Sequence, residues 1–567
     1  MENEKNQKVA YFSMEIAFRS DLPIYSGGLG VLAGDAIRSA ADLNIPLVGV
    51  TLTYNAGYFY QQIAPDGSQV EKGIDWDFSV DFNKINERVE LQIQEKAFNV
   101  EAWQYNIVGR TGHIIPIILL DSNLPENEPW QRNLTNMLYD ANPFQRVVQE
   151  MILGICGFKM LEKLGYNEIN TYHLNEGHAA FLILELLNKY NNVNEVKKHC
   201  VFTTHTPVRA GLEEFEYNLV QDVFRDRLPK NIYDLAGKNT LNMTTLALNS
   251  SRYVNAVSKK HCEIVKKMFP NYDIDYITNG VHLGYWLSPY FRDLLNDYFG
   301  RNWHHDFTHF KQALEIDDFD LWRAHTKAKH RLLEYEKSHS WILFDENLLT
   351  LGFARRITEY KRPLLLFTDL EKLAKITKNK VQFIFAGKAH PSDVQAKSYI
   401  KKINEFSDYL WDSYKIGLVF LENYQIELAK LLVSGVDVWL NNPRRYLEAS
   451  GTSGMKAAIN GVLNFSVLDG WWIEGYYLSD KQAGWAIGPE PGNPDAERLD
   501  DYADAADIYK KLESEIIPLF RENKKEWLKR MKYAIKLGEY FSSNRMMEEY
   551  AKKSYQLSKQ PLWKSNL

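Results

Sequence analysis

Apolar residues in this chain fall in short runs, and segments with helical spacing lie between the runs. Runs typical of buried strands cover residues 9–13, 47–53, 114–120, 201–204, 348–353, 381–386, 436–440 and 462–467. Residues 180–188 are typical of the segments between them, with Leu and Phe at i, i+3 and i+4 spacing. Because strands and helices alternate along the whole chain, the pattern predicts an α/β fold with parallel sheets.

The pattern changes once, between residues 280 and 340. Strand and turn signals end near residue 280, a helix-rich stretch extends to about residue 337, and new strands begin near residue 348. This predicts two Rossmann-like lobes, residues 1–285 and 286–540, with a closing helix at 541–567 that completes the first lobe. Ligands of such sheets bind at the carboxyl ends of the strands, so we expect a crevice between the lobes to hold the active site.

Composition narrows the possible classes of protein. The 567 residues include 67 Lys and Arg against 73 Asp and Glu, with 45% hydrophobic residues, which favours large cores and disfavours a nucleic-acid partner. Three cysteines give no disulfide framework. Neither an apolar signal core nor a membrane-spanning run is apparent, so we expect a soluble, cytoplasmic protein without a membrane partner.

A glycine-rich loop and three histidines are candidates for ligand binding in the first lobe. Residues 25–30, Tyr-Ser-Gly-Gly-Leu-Gly, follow a predicted strand and precede a helix, where main-chain N–H groups can bind a phosphate. A tight turn that only packs helix against sheet explains the loop equally well. His173, His178 and His205 lie near predicted strand ends and are either crevice residues or structural. The spacing from His173 to His178 does not favour a metal site, and we expect none.

A basic segment follows the predicted strand 348–353. Arg355, Arg356, Lys361 and Arg362 place four cations in eight residues. Such a run is usually a solvated face, but its position after a core strand favours an anionic ligand.

The strongest signal is the segment 448–461, Glu-Ala-Ser-Gly-Thr-Ser-Gly-Met-Lys-Ala-Ala-Ile-Asn-Gly. Its small residues lead into a helix, whose free N–H groups can bind a phosphate. Lys456 is expected on the first helical turn, where a lysine can form a Schiff base with an aldehyde cofactor. Taken alone, the segment also fits a surface lysine on a capped helix.

Together these segments resemble the glycogen/starch (α-glucan) phosphorylase family, in the same order along most of the chain. Residues 448–456 resemble the family's E-A-S-G-T-G-N-M-K, 356–362 its R-I-H-E-Y-K-R, and 26–30 its N-G-G-L-G. Further matches are 54–63, 174–178, 277–286, 420–424 and 541–543. The G-T-S-G-M-K at 451–456 and D-G-W-W at 469–472 are similar to the short bacterial and archaeal branch.

The resemblance implies a GT-B arrangement of two facing Rossmann-like lobes. It also implies a function. That function is phosphorolysis of terminal α-1,4-linked glucose from glycogen or maltodextrin, with inorganic phosphate as co-substrate, glucose 1-phosphate as product and configuration retained. The implied cofactor is pyridoxal 5'-phosphate. A homo-oligomer is compatible with the sequence.

The resemblance also assigns residues to roles. The implied catalytic residues are Lys456, Arg356, Lys361 and His178. The implied cofactor-binding residues are Lys456, Gly28, Arg355, Tyr424, Trp286, Thr452 and Ser453. The implied substrate-binding residues are Glu448, Ala449, Ser450, Gly451, Asn279, His178 and Leu29.

The chain departs from the family pattern at several positions and leaves two alternatives open. Thr358 replaces a His, Arg355 replaces a Lys, Ser453-Gly454 replaces Gly-Asn, and Glu176-Gly177 replaces Asp-Thr. These positions are neighbours of the key groups, so they bear on substrate range and rate more than on reaction class. Ala17 lies where a cofactor-contacting Tyr is expected. One alternative is a nucleotide-sugar-dependent glucan synthase of the same fold, which needs no Lys456. The other is a non-catalytic glucan-binding relative.

Overall fold

The computed structural model describes residues 6–74, 76–304, 306–497 and 500–557. Its strands are Val9–Ser13 (β1), Leu47–Leu52 (β2), Tyr60–Ile63 (β3), Gln69–Lys72 (β4), Asn83–Ile93 (β5), Lys96–Val108 (β6), Ile114–Asp121 (β7), Thr171–Asn175 (β8), Cys200–Thr203 (β9), Glu214–Glu216 (β10), Thr240–Asn242 (β11), Tyr253–Ala256 (β12), Asp275–Tyr276 (β13), Leu349–Ala354 (β14), Val381–Ala386 (β15), Leu418–Leu421 (β16), Val438–Asn441 (β17), Leu463–Val467 (β18) and Gly484–Ile487 (β19).

The α-helices are Gly28–Asp42 (α1), Pro129–Arg132 (α2), Pro143–Met151 (α3), Gly157–Lys163 (α4), Leu182–Tyr190 (α5), Val193–His199 (α6), Tyr217–Phe224 (α7), Ile232–Ala236 (α8), Met243–Asn249 (α9), Lys259–Met268 (α10), Leu283–Trp286 (α11), Pro289–Phe299 (α12), Asp318–His339 (α13), Leu370–Thr377 (α14), Val394–Tyr414 (α15), Ile426–Gly435 (α16), Thr452–Ile459 (α17), Trp471–Leu478 (α18), Asp501–Lys511 (α19), Ile517–Glu522 (α20), Lys524–Lys536 (α21) and Ser543–Glu549 (α22). Residues 558–567 of the predicted closing helix lie outside the described residues. Within the described ranges, no helix combines the length and the apolar character that a membrane span requires.

The chain folds into two compact units. Among the described residues, unit 1 contains 6–59, 73–278 and 546–557, and unit 2 contains 60–72 and 279–545. The hairpin of β3 and β4 therefore belongs to unit 2 although its neighbours in sequence belong to unit 1. Gln61 and Gln69 hold it there, since the Gln61 amide donates to the carbonyl of Gly387 at 2.8 Å and the Gln69 amide donates to the carbonyl of Ala389 at 2.9 Å.

Unit 1 is built on one sheet in the order β13-β12-β9-β8-β1-β2-β7-β6-β5. Strand β1 is buried along its whole length and pairs in parallel with β2 and β8, so the predicted parallel α/β character is confirmed here. The edge differs from the prediction because β5 and β6 are antiparallel. The last five residues of β5, from Val89 to Ile93, alternate between buried and exposed, which is typical of a strand with one solvated face.

Unit 2 contains a six-stranded parallel sheet in the order β16-β15-β14-β17-β18-β19. The chain starts in the middle of the sheet at β14, extends outward to β16, and returns to β17 on the other side of β14. This is the doubly wound order, in which ligands bind where the strand order reverses. The carboxyl ends of β14 and β17 are therefore where a ligand site is expected.

A buried ionic cluster supports the amino-terminal end of β17. Asp437 accepts hydrogen bonds from His325 Nε2 at 2.8 Å, from Lys329 Nζ at 2.6 Å and from the main-chain N–H of Thr350 at 2.7 Å. Burial raises the pKa of Asp437, but Lys329 and His325 outweigh burial and lower that pKa to about 2.

Replacing this carboxylate should destabilise the protein strongly. Asp437→Ala leaves the buried ammonium of Lys329 without its counter-ion, so we expect a loss of about 3–5 kcal/mol in the free energy of unfolding. Because the folded-state pKa is lowered, the stabilisation is present above the ordinary Asp pKa and is lost as pH falls toward 2. Thermal melts across pH test this, with the exposed Asp412→Ala as control. Equal melting temperatures for Asp437→Ala and wild type at neutral pH would contradict it.

Candidate active site

The carboxyl ends of β14 and β17 bring together two cations and a carboxylate. Arg355 directly follows β14, and Glu448 lies in the loop after β17. The Nη2 atom of Arg355 donates to Glu448 Oε2 at 2.7 Å, and Lys361 Nζ donates to the same oxygen. All three side chains are largely buried. The site therefore lies at the reversal point of the unit 2 sheet, as expected for a doubly wound fold.

Burial and mutual charge set the protonation of this cluster. Burial raises the pKa of Glu448, but Arg355 and Lys361 outweigh it and lower the pKa to about 2. Burial, followed by Arg355, lowers the pKa of Lys361 to about 7 despite the attraction of Glu448. Glu448 is thus ionised at neutral pH, while the Lys361 amine can gain or lose a proton there. A group whose pKa lies near the working pH is suited to proton exchange.

The four cations of the basic segment have separate environments. Arg362 is structural, because it donates to the carbonyls of Asn442 and Pro443 at 2.8 and 2.9 Å and pairs with Asp504 at 2.8 Å. Arg356 is exposed, and its charge helps to lower the pKa of Lys361. The interpretation as a single anion-binding run therefore applies at most to Arg355, Arg356 and Lys361.

Helix α17 positions Lys456. Gly451 precedes the helix with φ of +86°, a left-handed conformation that glycine adopts without strain. The helix begins at Thr452, so Lys456 lies on its second turn rather than on the first turn as predicted. The buried Lys456 Nζ lies 4.0 Å from the ring centroid of Trp286, whose carbonyl accepts a hydrogen bond from Asn460 Nδ2 at 3.0 Å.

The N-terminus of α17 can accept an anion. Within the described part of the chain, no side chain caps this helix, so its first N–H groups, near Thr452 and Ser453, are not satisfied by a cap. The hydroxyl of Ser453 is used elsewhere, because it accepts from Trp439 Nε1 at 3.2 Å. Tyr424 is half-buried; burial raises the pKa of its hydroxyl, and the nearby charge of Arg355 partly offsets the rise.

Several predicted ligand-binding residues have buried polar atoms without a protein partner. Among the described residues, Arg355 Nε and Nη1, Ser450 Oγ and Asn279 Oδ1 make no protein hydrogen bond. Ala449 lies between Glu448 and Ser450 in the same loop. Buried polar groups are rarely left unpaired, so these atoms indicate a polar ligand or water.

In unit 1, the glycine-rich loop is partly occupied by a carboxylate of the protein. Glu15 accepts from the N–H of Ser26 at 2.6 Å and from that of Gly27 at 3.3 Å. Gly28 is exposed and begins α1, and Leu29 is half-buried. Only the part of the loop from Gly28 onward is therefore a candidate for an external anion. Sequence reasoning did not identify Glu15, whose position eleven residues before Ser26 gives no local signal.

His178 belongs to a partly buried cluster of titratable side chains in unit 1. Its Nε2 lies 3.7 Å from Glu213, and its Nδ1 has no hydrogen-bond partner among the described residues. Burial, then the charge of Arg146, lowers the pKa of His178 to about 4, so the ring is neutral at pH 7. Glu150, His178 and Glu213 lie close enough to bind a metal ion, but Arg146 pairs with both carboxylates, at 3.2 and 2.9 Å, and already supplies positive charge.

The other two histidines differ in role. His173 lies inside β8 rather than after it, and both ring nitrogens are engaged, with the hydroxyls of Tyr555 at 2.8 Å and Thr203 at 2.9 Å. It is a structural residue of the sheet. His205 follows β9 and contacts Asn175 Oδ1 through Nε2 at 2.8 Å, so it stays a candidate at the strand ends.

A lysine that sequence reasoning missed lies at the end of the neighbouring strand. Lys388 is buried two residues beyond β15, and burial lowers its pKa to about 7. Its carbonyl accepts from the N–H of Ile357 at 2.9 Å, so it lies beside the segment that carries Arg355 and Arg356. The sequence did contain a signal for this lysine, because Gly387-Lys388 follows the apolar strand β15 just as Arg355-Arg356 follows β14.

A doubly wound unit with cations and unpaired polar atoms at its reversal point defines an enzyme-like site for a phosphate-bearing or polyhydroxylated ligand. Comparison with known proteins specifies the class. The carbohydrate phosphorylase family profile matches residues 14–110 and 229–481. The chain is 40% identical to the maltodextrin phosphorylase of Thermococcus litoralis, over 97% of this chain and 70% of that protein.

Two further relatives extend the comparison. The chain is 36% identical to the glycogen phosphorylase of Aquifex aeolicus, over 98% of this chain and 87% of that protein. It is 33% identical to an uncharacterized protein of Methanocaldococcus jannaschii, over 96% of this chain and 99% of that protein. The chain belongs to the carbohydrate phosphorylase family, and the family prediction from the sequence motifs is confirmed.

Proposed function

We propose that this protein is an α-glucan phosphorylase, a glycosyltransferase that cleaves terminal α-1,4-linked glucose from glycogen or maltodextrin with inorganic phosphate. The product is glucose 1-phosphate with retained configuration. Membership of the carbohydrate phosphorylase family and relatives named maltodextrin and glycogen phosphorylase support the reaction.

For the architecture we propose the GT-B arrangement, with two Rossmann-like lobes and a closing segment from residue 541 that returns to the first lobe. The lobes expected from the sequence, 1–285 and 286–540, differ from the two units in that residues 60–72, 279–285 and 541–545 belong to unit 2. The doubly wound order of the unit 2 sheet and the family membership support this arrangement. Family membership supports assigning Gly28, Leu29 and His178 of unit 1 to the same reaction as the residues around Lys456.

The residues around Lys456 fit pyridoxal 5'-phosphate. A buried amine, an uncapped helix N-terminus and a buried guanidinium with two unpaired N–H groups match an aldehyde that carries a phosphate. Lys456 would hold the cofactor covalently, Trp286 would contact it, and Arg355, Tyr424, Gly28 and the N–H groups of α17 would bind its phosphate. When bound, the cofactor supplies a second phosphate group for proton exchange beside the substrate phosphate.

Lys361 and Arg356 would bind the attacking phosphate. Lys361 Nζ is held by Glu448, so the substrate phosphate would compete with this carboxylate for the ammonium. With a pKa of about 7, the Lys361 amine can be protonated at neutral pH, and its ammonium form would bind the phosphate dianion. Concentrated positive charge here would stabilise the negative charge that the leaving 4-hydroxyl and the phosphate share in the transition state.

The glucosyl unit would be held by Glu448, Asn279, Ser450 and His178. Carboxylate and amide oxygens accept hydrogen bonds from sugar hydroxyls, while the unpaired Ser450 hydroxyl can both donate and accept. Neutral His178 would offer one ring nitrogen as donor and the other as acceptor. No pair of carboxylates placed for hydrolysis is required, because the substrate phosphate is the nucleophile.

Membership of the carbohydrate phosphorylase family carries the proposed reaction, and the unpaired buried atoms of Arg355, Ser450 and Asn279 support a polar ligand at this site. The test is to incubate purified protein with maltoheptaose and phosphate and to measure glucose 1-phosphate, with an absorbance scan for pyridoxal phosphate. We expect both signals. Bound cofactor without product would favour a non-catalytic glucan-binding protein, and glucan extension only from a nucleotide sugar, without cofactor absorbance, would favour a synthase.

A further inference from the structure

The turn between β18 and α18 lies directly against the loop that carries Glu448. Asp469 accepts from the main-chain N–H of Glu448 through Oδ2 at 2.9 Å. Two residues on, the N–H of Trp471 donates to the carbonyl of Ser450 at 2.9 Å. The turn therefore binds the main chain of the loop at both ends of the segment 448–450.

Gly470 brings the two segments into contact. Its φ of +50° lies in the left-handed region, and a Cβ atom here would lie 2.4 Å from the carbonyl oxygen of Ser450 and 2.8 Å from that of Glu448. Trp471 anchors the turn, because its buried ring packs edge-on against Phe541 with centroids 4.8 Å apart. The turn is thus a fixed surface on which the loop rests.

Asp469 occupies this position at an energetic cost. Its carboxyl group is buried and close enough to that of Glu448 for the two charges to repel, and within the described part of the chain its second oxygen accepts only from the N–H of Gly470, at 2.8 Å. Burial and the charge of Glu448 raise the pKa of Asp469 to about 8, although hydrogen bonds from the main chain oppose the rise. At neutral pH this carboxyl group is therefore mostly protonated, and a buried acid that is kept at this cost to hold two main-chain N–H groups indicates a functional constraint.

We propose that Asp469 is a positioning residue for the reaction. It fixes the main chain at Glu448 so that this carboxylate stays on Arg355 and Lys361 and in reach of the glucosyl unit, a role that rests on the proposed function. Residues 442–451 form no helix or strand, so the main chain of this loop depends on such contacts. A displacement of about 1 Å at a reacting group can cost about 10²-fold in rate.

The test compares Asp469→Asn with wild-type holoenzyme. Even when it is protonated, the carboxyl group of Asp469 keeps acceptor capacity at its oxygens, whereas Asn places its amide nitrogen, which only donates, against one of the two N–H groups. At a pH well below the pKa of Lys361, where its ammonium is present in both proteins, we expect the kcat/KM for maltoheptaose to fall on the order of 10²-fold, the cofactor content to stay equal, and the KM for phosphate to change far less. Asp121→Asn is the matched control: Asp121 is a buried carboxylate at the end of β7 that accepts from the N–H of Asn123 at 3.0 Å, and its loss should lower stability without this kinetic pattern.

A second measurement does not depend on activity. Competitive acetylation with mass spectrometry gives the pH midpoint for labelling Lys361, and displacement of Glu448 in Asp469→Asn should move that midpoint below the wild-type value. If Asp469→Asn fails to fold, Gly470→Ala displaces the same loop from the same side and should give the same pattern. Wild-type kinetics and a wild-type Lys361 midpoint in the variant would overturn the inference. An inactive wild type with a shifted midpoint would reject the proposed function and keep the positioning role.

Discussion

Lys456→Ala should abolish phosphorolysis while the fold persists. The Lys456 amine is buried over the ring of Trp286, next to an uncapped helix N-terminus, and no other described lysine combines these features. Because a cofactor would carry the chemistry that side chains lack, we expect a loss of at least about 10³-fold in kcat. Cofactor absorbance should disappear with the activity.

Two variants separate the covalent bond from charge and packing. Lys456→Arg keeps the positive charge but cannot form the bond, so it should be as inactive as the alanine variant. Lys430 also lies over an aromatic ring of unit 2, 4.0 Å from the centroid of Tyr285, and Lys430→Ala should keep cofactor and activity. Borohydride reduction and peptide mapping should place the pyridoxyl mass on the peptide of Lys456. Label only on another lysine would contradict the assignment.

The central strands could be predicted because they are buried along their length. β1 and β15 have the predicted bounds, since residues buried on both faces give an unbroken apolar run. β5 was missed because its solvated face interrupts the run, although Val89, Leu91 and Ile93 alternate with polar residues as in an antiparallel strand. The sequence pattern was thus reliable where both faces of a strand are covered.

The sequence could single out residues of the candidate site at the ends of strands, but it could not show which of these residues bond to one another. Arg355 and Glu448 each follow a recognisable strand, but the bond between them joins positions 93 residues apart, which no local pattern encodes. Arg362 looked equivalent to its neighbours in the basic segment. Its φ of +48° and its bonds to distant carbonyls and Asp504 give it a structural role instead. The tertiary contacts of these cations, rather than their spacing in the sequence, distinguish their roles.

Phosphate binding should depend on the proton of Lys361. The pKa of Lys361 is about 7, so its ammonium is present below that pH and is lost as pH rises through it. The KM for phosphate of the wild type should therefore rise between about pH 7 and 9, beyond the change that phosphate ionisation itself causes. Lys361→Arg keeps its charge over this range, so its KM should follow phosphate ionisation alone.

Removing the side-chain charge of Lys361 by substitution should impair the reaction with phosphate more than raising the pH does. Lys361→Ala should lower the kcat/KM for phosphate on the order of 10²-fold or more, because a buried cation that faces the transferred group acts most strongly in the transition state. Arg356 is exposed and more screened by solvent, so Arg356→Ala should lose less. Chain extension from glucose 1-phosphate should suffer in parallel, since it uses the same phosphate site, while cofactor content should stay unchanged because Lys456 is intact. Initial rates across phosphate concentration and pH, in both directions, measure these effects. Normal phosphate kinetics in Lys361→Ala would mean that this ammonium serves only to neutralise Glu448, and the phosphate site would then have to be sought at Arg356 and Lys388.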